Sequence, residues 1–217
     1  MSDVFRTLYP FLSETETTAD PEPVLREVSA STRLKSREIV DLRRATFAEA
    51  TDAIVDAAIA MADAFARGRK LLAFGNGGSA TDAQDAAADC ARPPVAGWRS
   101  LPAIALVDAI ATVTAIANDV GFENVFARQV IALGDAGDIA IAFSTSGRSP
   151  SVLAGLAEAK RRGLITIGLA GYDGGSIRTA CDHAIVVRAE HIPRIQEAQA
   201  TAWHALLELT QIRLCDS

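Results

Sequence analysis

Two short stretches combine the residue types that hold a phosphoryl group. Gly75-Asn76-Gly77-Gly78-Ser79 follows the apolar run Lys70–Phe74 and opens an alanine-rich helical segment. Glycines let a chain turn sharply and bring its amides against a ligand with no Cβ in the way. The free N–H groups at a helix start then face an anion. Gly75-x-Gly77-x-x-Ala80 also satisfies the dinucleotide-binding spacing, and a glycine turn can be no more than a tight strand-to-helix connection. Ser144-Thr145-Ser146-Gly147-Arg148-Ser149 repeats the placement after another apolar run, with four hydroxyl residues in six positions. Capping a helix needs one such residue; four supply donors for phosphate oxygens. Two turns of this kind at the carboxyl ends of parallel strands can close on one ligand, which favours a phosphorylated small molecule over a dinucleotide.

The elements that would position these turns can be read from the pattern of apolar residues. Helical spacing runs from Leu25 through Ile39, Leu42, Phe47, Ile54, Met61 and Phe65, predicting two helices with a stop at Gly68. Five apolar runs then read as strands: 70–74, 102–107, 138–143, 164–169 and 183–187. Helices are expected over 79–91, up to Arg162 after the hydroxyl-rich turn, and over 195–214. Apolar strands without polar alternation, each followed by a helix, predict an α/β fold with a doubly wound, parallel five-stranded sheet and helical additions at the N-terminus. Residues 12–23 are acidic, Thr-rich and interrupted by Pro21 and Pro23, so 1–24 is expected to be a flexible segment and 25–217 a single domain.

A net charge of −6 argues against an electrostatic grip on nucleic acid or anionic membrane. No apolar run reaches the length of a membrane span, and no signal peptide is evident. Cys90, Cys181 and Cys215 form no CxxC or zinc-ligand spacing. A reduced, cytoplasmic protein is expected.

Asp85 and Asp89 are four residues apart, so they share one helix face, with Asp82 extending the stripe. Such a stripe on an alanine-rich helix is also the composition of a solvated surface. Gln196 and His204, two turns apart on the last helix, lie on nearly one face. His204 beside Trp203 fits a core residue as well as a ligand. Asn118-Asp119 ahead of Gly121 reads locally as a turn.

GNGGS at 75–79, AIANDVGFENVFARQ at 115–129, STSGRS at 144–149, DGG at 173–175 and RIQE at 194–197 occur together, in order. In this the chain resembles the sugar-isomerase (SIS) family and, within it, the phosphoheptose isomerases. The resemblance implies a flavodoxin-like sheet, a homotetramer with sites near subunit interfaces, and conversion of sedoheptulose 7-phosphate to an aldoheptose 7-phosphate. It implies that Ser144, Thr145, Ser146 and Ser149 cradle the phosphate. Asn76, Gly77, Gly78 and Ser79 match the first substrate loop, Asn118 and Asp119 match a pair that contacts sugar hydroxyls, and the resemblance makes Gln196 a further substrate contact. It further implies one divalent metal, zinc in the family, held at Asp85, Asp89, Gln196 and His204, with Asp89 and His204 moving the protons. At Asp85 and Asp89 the family pattern has His and Glu. The resulting ligand set is richer in oxygen than zinc prefers, and aspartate reaches about 1.5 Å less far than glutamate. These departures leave a second reading, a non-catalytic phosphosugar sensor or partner-binding protein of the replication-initiator-associating type.

Overall fold

The computed structural model describes residues 21–215. The chain divides into two compact units, 1–38 and 39–217. Most of the segment expected to be flexible lies outside the described residues, and helix α1 (Pro21–Ala66) already begins within its last part. α1 is one continuous helix, not the two expected. No glycine or proline falls between Val24 and Ala66, so nothing in that stretch breaks the hydrogen-bond ladder. In the first unit, 21–38 are helical, and 22–38 are almost wholly exposed.

The second unit holds the sheet. After α1 come β1 (Leu71–Gly75), α2 (Gly78–Ala91), β2 (Ala103–Ala105), α3 (Ile110–Asp119), a 3₁₀ turn at Phe122–Asn124, and α4 (Val125–Leu133). β3 (Ile139–Ser144), α5 (Pro150–Arg161), β4 (Ile165–Gly171), α6 (Ile177–Ala180), β5 (His183–Val187) and α7 (Ile192–Cys215) complete it. All strand pairs are parallel, in the order β2-β1-β3-β4-β5. The doubly wound five-stranded sheet is therefore as the apolar runs predicted. Helices α3 and α4 were not resolved by that pattern, and Asn118-Asp119 ends α3 instead of forming an isolated turn.

Side chains alternate across the strands, and both faces are buried. Leu71, Ala73, Ile139, Ile141 and Phe143 pack with Ile54, Met61, Trp203 and Leu206 on one side. Leu72, Phe74, Ala140 and Ala142 pack with Phe126, Val152 and Leu156 on the other. At the amino ends of the strands, Asp138 is almost wholly buried. Its carboxylate accepts from the Lys70 backbone N–H (3.1 Å) and the Asp135 backbone N–H (2.9 Å) and pairs with Lys70 Nζ at 2.5 Å. Burial works against the Lys70 charge, but hydrogen bonds to Asp135 and Asp138 outweigh it and hold its pKa above the ordinary value. This knot pins β1 to β3 at the end of the sheet remote from the two turns.

Candidate active site

The chain winds in one direction from β1 to β2 and in the other from β3 to β4, so the sheet's switch point lies between β1 and β3. Gly75, the last residue of β1, pairs with Phe143 of β3. The glycine turn and the hydroxyl-rich turn thus leave the sheet side by side, at the crevice where open α/β sheets bind ligands. Between them is a cavity of about 130 Å³ lined by Asn76, Ser79, Phe143, Ser144, Thr145, Ser146, Ser149 and Val152. Small-molecule pockets usually start at about 300 Å³, so this one fits a phosphoryl group and leaves the rest of a ligand outside.

The two turns are bonded to each other. The Asn76 carboxamide donates to Ser149 Oγ (2.7 Å) and to Ser151 Oγ (2.9 Å). Ser149 occupies the N-cap of α5, with Pro150 at the first helical position, yet its hydroxyl makes no capping bond. That hydroxyl serves the junction, and capping does not account for it. Ser144 Oγ accepts the Gly147 N–H at 3.1 Å and Ser146 Oγ accepts the Arg148 N–H at 3.2 Å. Both hydroxyl protons remain for an acceptor in the cavity.

The DGG turn has a mechanical part that its sequence alone did not announce. Gly147 has φ +63°, and a Cβ there would lie 2.2 Å from the Gly174 carbonyl oxygen. The Gly147 carbonyl accepts from Ile177 N–H, and the Thr145 carbonyl accepts from Gly171 N–H. Arg148 closes the joint by donating twice to Asp173, at 2.8 and 3.0 Å. The phosphate turn is therefore backed by the 171–177 segment, backbone against backbone.

Gln196 on α7 reaches the glycine turn: a Cβ at Gly78 would lie 2.0 Å from its Nε2. Asp89 on α2 and His204 on α7 also meet, with Oδ2 and Nε2 3.6 Å apart. The same Asp89 oxygen accepts the Trp203 indole N–H at 3.0 Å. Asp85 is exposed. Asn118 and Asp119 are also exposed, bonded to each other at 2.7 Å, and do not line the cavity. Sequence reasoning missed Ser151 and Trp203. Ser151 lies two residues past the motif, and Trp203 was weighed only as the neighbour of His204.

Asp85, Asp89 and His204 do not gather as three metal ligands, although Asp89 and His204 meet. Among the described residues no three His, Cys, Asp or Glu side chains are grouped to hold a metal ion. Of the four, Asp89 is engaged by Trp203 and His204, Gln196 is packed on Gly78, and Asp85 points to solvent. This arrangement does not fit a zinc site. Asp82 behaves differently from a solvated stripe. Its Oδ2 is buried with no hydrogen-bond partner among the described residues, and burial, helped by the Asp85 charge, pushes its pKa up to about 6.

Comparison with known proteins agrees with this geometry. A profile of the SIS domain matches residues 36–171. The phosphoheptose isomerase of Pelobacter propionicus is 47% identical over 158 residues, covering 73% of this chain and 84% of that protein. That of Nitratiruptor sp. is 49% identical over 156 residues, covering 72% and 83%. Among solved structures, a phosphoheptose isomerase from Francisella tularensis superposes with a TM-score of 0.79 at 31% identity, covering 87% of this chain and 98% of that one. One from Neisseria gonorrhoeae gives 0.76 at 36% identity, covering 85% and 97%. The chain belongs to the SIS-domain family and, within it, to the phosphoheptose isomerases.

Proposed function

We propose that the protein is an aldose–ketose isomerase acting on sedoheptulose 7-phosphate. The carrying observation is the cavity shared by the glycine and hydroxyl-rich turns, which suits the phosphate end of such a sugar. Family membership supplies the reaction. Isomerisation moves a proton from C1 of the ketose to C2, while the carbonyl and hydroxyl oxygens exchange a proton. Asp89 takes and returns the carbon-bound proton, and His204 serves the oxygens. Their 3.6 Å separation across α2 and α7 supports treating them as one unit. The comparisons name isomerases, and nothing in the site favours a purely sensory role.

The protein works as a cytoplasmic homotetramer in this reading. No described helix is long and apolar enough to cross a membrane. Ile110, Val120 and Phe122 are exposed on and beside α3, a helix with no buried residue, and a partner subunit would cover them.

The test is conversion of sedoheptulose 7-phosphate in D₂O, with deuterium incorporation at C2 of the product followed by NMR. Product formation with exchange is expected. Folded protein that neither forms aldose nor exchanges a proton would refute the reading.

A further inference from the structure

We infer that Trp203 is a positioning residue for the isomerisation, its indole N–H holding the Asp89 carboxylate beside the His204 imidazole. The inference rests on the reading of Asp89 and His204 as the proton-moving pair. Trp203 is 2% exposed and packs in the core with Ala83, Ala86, Cys90 and Leu206, so its ring cannot turn without repacking its neighbours. The indole nitrogen is a donor only, and buried tryptophan usually finds an acceptor for it. Here the acceptor is Asp89 Oδ2 at 3.0 Å, and that oxygen also stands 3.6 Å from His204 Nε2.

The consequence is directional. Asp89 is partly exposed and its side chain, left alone, would sample several rotamers. A donor fixed in the core selects the rotamer that faces α7. The helix spacing makes this possible: Trp203 and His204 are consecutive, so the first points inward and the second outward, and Asp89 lies where both can reach one oxygen. A short carboxylate with a rigid tether gains in placement what it lacks in reach.

The tether is read by ultraviolet resonance Raman, from the band that reports indole N–H hydrogen bonding, with the other tryptophan assigned through Trp98→Phe. The Trp203 band moves to its non-hydrogen-bonded position in Asp89→Ala; an unmoved band overturns the tether, whether or not sugar is turned over. The role is read by steady-state kinetics of Trp203→Phe. It lowers kcat by about ten- to a hundredfold, as sub-ångström to ångström misplacement of a reacting group does. KM stays within about twofold, because the phosphate turns are untouched. A kcat within about twofold of the parent, in protein whose wild type is active, overturns the role. An inactive wild type refutes the isomerase reading and the kinetic role with it, while the Asp89-dependent band still decides the tether.

Discussion

Replacing Asn76 by alanine tests the joint on which the site depends. Its carboxamide makes the 2.7 and 2.9 Å bonds that tie the turn after β1 to the start of α5. A neutral hydrogen bond contributes about 1 kcal/mol net, so about 2 kcal/mol is removed. Ser149 and Ser151 recover part of this, since their hydroxyls already lie 3.4 Å apart. The cavity keeps its hydroxyl wall but loses the brace on its glycine side, and the remainder corresponds to about a tenfold rise in KM for sedoheptulose 7-phosphate. The Ki of inorganic phosphate as competitor rises in parallel, and kcat stays within a few-fold because Asp89 and His204 are not touched. Asn76→Asp keeps the shape, exchanges two donors for a negative charge beside the anion, and weakens binding further. Steady-state kinetics with both ligands gives every quantity. An unchanged Ki for phosphate, or a loss confined to kcat, would show that the two turns do not act as one anion site.

Three further substitutions address stability. Gly147→Ala places a Cβ 2.2 Å from the Gly174 carbonyl at φ +63° and costs about 3 kcal/mol or more, measured by urea denaturation. Asp138→Ala leaves two backbone N–H groups without their acceptor and Lys70 with Asp135 alone, and costs about 3 kcal/mol by the same assay. Asp82 has a raised pKa, so the folded state holds its proton more tightly than the unfolded chain does. The stability it lends is complete below the ordinary carboxylate value and is lost as pH climbs through about 6. Asp82→Asn removes that dependence, and its Tm gain over wild type is larger at pH 8 than at pH 4.5, equivalent to about 1 kcal/mol after allowance for partial solvent screening. Equal gains at the two pH values would count against the orphaned carboxylate.

The parallel sheet and both phosphate turns were legible because each rests on local chemistry: uniformly apolar strands, glycines at a strand end, hydroxyls at a helix start. α1 was readable as one helix from the absence of glycine and proline between Val24 and Ala66, but apolar spacing alone suggested a break. What sequence could not supply is pairing across distance. Asn76 and Ser151 are 75 positions apart and Asp89 and Trp203 are 114 apart, and nothing local marks either partner. The acidic residues of α2 share a stripe by spacing, yet in the fold Asp82 has one buried, unpartnered oxygen, Asp85 is exposed and Asp89 is tethered to Trp203 on α7.

The backing of the hydroxyl-rich turn by the 171–177 segment bears on how this enzyme can change. Added side chains at positions 147 and 175 would collide with main-chain oxygens, so neither position can vary without moving a whole turn. A grip so constrained is shaped before any sugar arrives and spends little ordering entropy on capture. Divergence toward other sugars is therefore channelled away from the phosphate end and into the side chains that meet the carbon chain. A laboratory selection for a shorter or longer phosphorylated ketose would accumulate its changes there, leaving the anion grip as the inherited handle.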